Sequence, residues 1–123
     1  MEQVMPRTTS RAPAAHRARC AAGARLFKAL AHPCRVCMLA ALAEGPRHVG
    51  ELAAHAGVGM ATASQHLRVL RGAGLVTDTK RGLQVHYAIA QTCITTMLAC
   101  ATRVISNTIR AQSALTDPPK ATP

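Results

Sequence analysis

The sequence predicts a mainly α-helical domain carrying one small β-hairpin, and three observations predict it. Ala and Leu dominate the apolar residues, Trp is absent, and Phe27 and Tyr87 are the only Phe and Tyr, a composition that favours helices packed through small aliphatic side chains. Apolar residues recur at helical spacing through several segments between Ala14 and Ala111. One stretch, from Leu75 to Ile89, reads instead as two short strands around a basic glycine turn. At 123 residues the chain fits one small domain with a modest core, which makes a second copy a natural source of further burial.

Taken in order, residues 1–12 are rich in Pro, Arg, Thr and Ser without periodicity and read as a disordered basic arm. From about Ala14 to Ala31 a first helix places Cys20, Ala24, Phe27 and Leu30 toward one face. Pro33 suits a helix start, where its missing N–H costs nothing. Cys34 to Ala43 then run apolar nearly all round, as a central core helix does, until Gly45 and Pro46 stop them. His48 to about His55 forms a short helix, and residues 56–59 form a turn in which Gly57 suits a left-handed cap.

The helix from Met60 divides by angle. At 100° per residue Ala63, Leu67 and Leu70 fall together, with Ala61, Ser64, Gln65 and Arg68 opposite. Gly72 and Gly74 end it. Leu75–Thr79 and Gln84–Ile89 follow as strands around Lys80, Arg81 and Gly82. Helix, glycine turn, helix and basic hairpin together make a winged helix-turn-helix. A last helix from about Gln91 to Ala111 carries Ile94, Met97, Leu98, Ala101, Ile105 and Ile109 as one apolar stripe. No later segment covers that stripe, so the expected assembly is a two-fold homodimer with two reading heads, built on a domain of residues 13–112 with a disordered tail at 113–123.

Fifteen Lys and Arg against five Asp and Glu give a formal charge of +10 and a pI near 10.8. That balance points to a polyanion, with duplex DNA as the leading partner and RNA or an anionic membrane surface as the rival. No apolar run approaches the ~18 residues of a spanning helix, and the N-terminus lacks a signal-peptide core, so a soluble cytoplasmic protein is expected. No Ser/His/Asp arrangement, phosphate-cradling loop or paired acid is visible, which argues against an enzyme.

A reading helix needs short polar side chains near its start for base edges and cations farther along for phosphates, and Thr62, Ser64, Gln65 and Arg68 supply both. The Gln65 amide suits bidentate pairing with adenine. His66 falls midway toward the packed face, where a boundary role and a DNA contact are equally open. Lys80 and Arg81 at the wing suit a neighbouring phosphate or minor groove, and Arg35 near its helix start suits a backbone contact; solvated surface charge is the plain alternative for each.

Cys20, Cys34, Cys37, Cys93 and Cys100 make an odd count without the spacing of a disulfide scaffold, so reduced thiols are expected. Cys34 and Cys37 lie three apart on one helix, and Cys93 and Cys100 lie two turns apart beside the apolar stripe, so each pair can share a face. Thiolates suit As(III), Sb(III), Cd(II), Pb(II) or Hg(II), two neighbouring thiols suit a sulfur oxidant, and inert core packing is the alternative. His16, His32, His55 and His86 have no ligand spacing among themselves.

Leu26-Phe27-Lys28-Ala29-Leu30-Ala31-His32-Pro33-x-Arg35, Val49-Gly50-Glu51-Leu52-Ala53, Ser64-Gln65-His66-Leu67-Arg68-Val69-Leu70, Ala73-Gly74-Leu75-Val76 and Gly82-x-x-Val85-x-Tyr87 together resemble the ArsR/SmtB family of bacterial winged-helix repressors. The resemblance implies a homodimer on a palindromic operator, released when a metal ion, metalloid or sulfur oxidant engages its thiols. Cys20 reads as incidental, the alternative being a three-sulfur site completed from the first helix, a geometry that relatives also use. Three departures stand out. The entry to the reading helix is Gly59-Met60-Ala61 rather than polar, His48-Val49-Gly50 replaces a Cys-x-Cys, and Gln91 and Cys93 replace zinc-type ligands, so a zinc sensor of that type is not expected. Two regulators fit: a repressor switched through its thiols, and a DNA-binding regulator with no thiol switch, controlled by a protein partner or by abundance.

Overall fold

Residues 10–116 are described by the computed structural model. Helix α1 (Ala14–Leu30) gives way at Ala31 to the His32-Pro33 turn, where His32 caps α2 (Pro33–Leu42) by accepting a 3.0 Å hydrogen bond at Nδ1 from the Cys34 amide. Pro33 occupies the first turn of α2, as its locked φ favours. Met38, Leu39, Ala41 and Leu42 of this helix are buried, but Val36 and Ala40 are exposed. The apolar circumference expected of α2 is therefore covered on one side only.

The expected helix from His48 begins one residue later, as α3 (Val49–Ala56), because His48 stands outside it as the N-cap. Its Nδ1 accepts from the Gly50 and Glu51 amides at 3.1 and 3.4 Å, while Glu51 Oε1 accepts from the His48 amide at 3.1 Å. This is a capping box in which an imidazole takes the usual hydroxyl's place. Gly50 leaves room for the ring, since a Cβ there would lie 3.0 Å from His48 Cε1. Gly57 closes α3 in the left-handed conformation, φ 70°, and the Val58 amide returns to the Ala53 carbonyl.

Helix α4 (Met60–Gly72) buries Ala63, Leu67 and Leu70, the face that its spacing predicts. Three strands follow the wing pattern rather than two. Arg47 and His48 form a short β1 that pairs with the strand Gln84–Ile89, here β3, which in turn pairs with β2 (Val76–Arg81). The antiparallel order is β1-β3-β2. Lys80 and Arg81 lie within β2 rather than in the turn, and Gly82, φ 63°, permits the reversal to Gln84.

Helix α5 (Cys93–Thr116) runs past the expected end near Ala111, since nothing before the prolines at 118 and 119 removes a helical hydrogen bond. Residues 1–9 of the arm and 117–123 of the tail lie outside the described residues. The apolar stripe of α5 is divided: Ile94 is buried in the core, whereas Val104, Ile105 and Ile109 are more than half exposed. Where α5 meets α1 and α2, Phe27, Leu30, Val36, Met97, Leu98 and Ile105 line an apolar groove of about 350 Å³. No described helix is long and apolar enough to cross a membrane.

Candidate nucleic-acid interface

Burying Ala63, Leu67 and Leu70 turns the opposite side of α4 outward, so Thr62, Gln65 and Arg68 are exposed and Ser64 is half-buried beside them. Gly59 supplies no side-chain cap to α4, and the first turn carries no acid. The first amide donors and the positive dipole end of this helix therefore have neither a side-chain cap nor an acid of the first turn to offset them. Lys80 and Arg81 stand exposed at the end of β2 beside Gly82. Arg71, in the last turn of α4, is held by Asp78 of β2 at 2.7 Å. The spacing of charges does not reveal that pairing.

Arg35 and His66 meet each other. The Arg35 Nε donates to His66 Nδ1 at 3.2 Å, and its Nη1 donates to the Ala29 carbonyl at 3.1 Å, so two of its donors are engaged inside the protein. Accepting at Nδ1 places the His66 proton on Nε2. The His66 ring also lies 4.3 Å, centroid to centroid, from the His32 ring at a 46° tilt. Burial, then His32 and Arg35, push its pKa below the usual histidine value of 6.5. His66 thus sits at the edge of the packed face. A second histidine pair, His48 and His86, meets edge to face at 5.9 Å, with the buried His86 Nδ1 lacking a hydrogen-bond partner.

The thiols are dispersed. Cys34 is buried, and burial first, then Cys37, raises its pKa against a smaller opposing effect of Arg35, which keeps it a protonated core thiol. Cys37 Sγ faces the His55 carbonyl at 3.8 Å. Cys93, 3.8 Å from Gln91 Oε1, and Cys100 are exposed on α5, and Cys20 is exposed 3.6 Å from His16 Nε2. Seven residues at the helical rise separate Cys93 from Cys100 by about 10 Å, too far for one ion to take both from one protomer. No three His, Cys, Asp or Glu side chains among the described residues come together to hold a metal ion.

This geometry has known counterparts. Residues 32–78, which run from the His32 cap through the helix-turn-helix into β2, match the model of the bacterial regulatory protein, arsR family. The fold matches the homodimeric winged helix-turn-helix DNA-binding domain of a possible ArsR-family transcriptional regulator from Mycobacterium bovis, with TM-score 0.71 and 31% identity, covering 80% of this chain and 91% of that one. The chain belongs to the arsR family. This arsR-family chain is also similar to the transcriptional repressor BigR from Xylella fastidiosa, with TM-score 0.65 and 31% identity over 73% of this chain and 92% of that one. Among curated relatives it is 51% identical over 67 residues to the HTH-type transcriptional regulator CmtR of Mycobacterium tuberculosis. That match takes in 54% of this chain and spans 57% of the length of CmtR.

Proposed function

We propose that this arsR-family protein is a dimeric DNA-binding repressor whose two α4 helices enter successive major grooves of an operator. The observation that carries this reading is the division of α4 into a buried aliphatic face and an exposed face bearing Thr62, Gln65 and Arg68, with Ser64 half-buried beside them. Gln65 reads base edges, Arg68 and the wing cations Lys80 and Arg81 neutralise phosphates, and the net charge of +10 steers the encounter. The homodimer forms through the apolar groove between α1, α2 and α5, since Val104, Ile105 and Ile109 otherwise remain in water.

Release from the operator follows engagement of Cys93 and Cys100, met across the dimer from different protomers, by a soft metal or metalloid such as As(III), Sb(III), Cd(II), Pb(II) or Hg(II), or by a sulfur oxidant. Both thiols are exposed on the helix that carries the dimer face. An inducer that binds the DNA-incompetent arrangement more tightly weakens DNA binding by the factor by which DNA weakens the inducer. The dispersion of the thiols within one protomer favours a second reading, a regulator without a thiol switch. Titrating reduced protein with each ion and with a polysulfide, while following fluorescence anisotropy of the duplex upstream of its own coding sequence, tests the first reading. Release abolished by Cys93→Ala with Cys100→Ala supports it. Release that is absent, or unchanged in the variant, leaves the second.

A further inference from the structure

The apolar contacts that seat α4 are non-directional. Ala63, Leu67 and Leu70 press the helix onto the core, and a directional bond at the edge of that face adds to what fixes its roll about its own axis. A roll of about 10° carries a side-chain tip about 1 Å sideways at the helix's outer radius of about 5–6 Å, enough to spoil a base contact. Among the described residues, the one side-chain hydrogen bond that crosses from α2 to α4 is Arg35 Nε to His66 Nδ1, at 3.2 Å. It ends on the residue next to Gln65, two positions from both Ser64 and Arg68.

We propose that Arg35 and His66 are positioning residues for DNA reading, Arg35 acting through a neutral His66 to fix the roll of α4 rather than by gripping phosphate. The inference rests on the DNA-binding reading above. Arg35 is itself anchored by its second bond, to the Ala29 carbonyl at the end of α1, so the bond refers α4 to α1 and α2. The His66 acceptor exists only while Nδ1 is unprotonated. The charges that act on it are basic: Arg35 from α2 and His32 from the turn before α2. The acids of the described residues have partners elsewhere, Glu44 with Arg47, Glu51 with His48 and Asp78 with Arg71. No carboxylate compensates an imidazolium at this place, and protonation replaces the bond by repulsion.

The consequence runs against simple electrostatics. Acidification protonates histidines, adds positive charge and strengthens non-specific attachment to a polyanion, whereas loss of this bond weakens discrimination. Anisotropy competition between the duplex upstream of the protein's own coding sequence and a scrambled duplex separates the two effects. From about pH 7.5 to about pH 5.5 the wild-type preference is expected to fall about tenfold. His66→Gln, whose amide oxygen accepts at every pH, keeps a flat preference. Arg35→Met, which keeps the aliphatic stem and removes the donor, lowers preference already at about pH 7.5.

Histidine ¹⁵N spectra of the DNA-free wild-type protein supply a readout independent of the folding of either variant. His66 is expected as the Nε2–H tautomer, and an Nδ1–H tautomer at neutral pH overturns the inference. An acid limb retained in folded His66→Gln overturns it as well. Absence of any preference for the upstream duplex at every pH removes the DNA-reading conclusion and this inference together, whereas an intact preference with an unaltered pH profile removes only this one.

Discussion

Arg71 Nη1 donates to Asp78 Oδ2 at 2.7 Å, joining the last turn of α4 to the first strand of the wing. The bond crosses only seven residues, yet it relates the two parts that touch DNA in the proposed complex. It also takes one cation of the reading helix out of the pool available to phosphate.

Asp78→Asn frees that cation. The pair is substantially exposed, so the loss of stability is expected to stay below about 1 kcal/mol by urea denaturation. The salt dependence of duplex binding should steepen by about one phosphate contact. An unchanged slope means that Arg71 does not reach the backbone.

Gln65→Ala and Lys80→Ala separate reading from gripping. Loss of Gln65 is expected to cost about 1–3 kcal/mol on the upstream duplex and to relax preference at one base position, with scrambled duplex bound as before. Loss of Lys80 should weaken both duplexes alike and reduce the salt slope by about one. Competition anisotropy at several salt concentrations checks both, and the opposite pattern reassigns the two residues.

Stability should carry an acid limb from His66. Its folded-state pKa lies below the unfolded value of 6.5, so the unfolded chain binds the proton more tightly. The contribution is complete above about 6.5 and is lost as pH falls through the lower folded value. Urea midpoints measured across this range should decline with acid in the wild type and less steeply in His66→Gln; identical slopes would remove His66 from the pH response.

Ile105→Glu places a carboxylate on the bare face of α5 beside the groove lined by Phe27 and Val36. Sedimentation should show a monomer, with the helical far-ultraviolet signal largely retained because Ile105 lies outside the buried core. Tight binding to a two-half-site duplex should vanish with dimerisation. A dimer that survives places the interface elsewhere.

Much of this fold was legible because it is written in local patterns. Ala63, Leu67 and Leu70 recur with the helical period, and Gly57 marks a left-handed cap that other residues resist. β1 escaped because two residues carry no period, and the His48 cap escaped because imidazole is an unusual substitute for a hydroxyl. The candidate readers Thr62, Gln65 and Arg68 could be placed from their helix alone. The Arg35–His66 bond could not, since it joins residues 31 positions apart and each helix's pattern says only which side is wet. The same holds for the thiols: seven positions put Cys93 and Cys100 on a shared side, but the rise between them decides that one protomer cannot close a chelate.

The uncovered end of α5 has a bearing on gene dosage. If only paired chains hide Ile105 and Ile109 and present two reading heads, active molecules scale with the square of synthesis at low abundance. Promoter occupancy then climbs steeply once a threshold is crossed, and a modest drop in expression reopens the gene without any inducer.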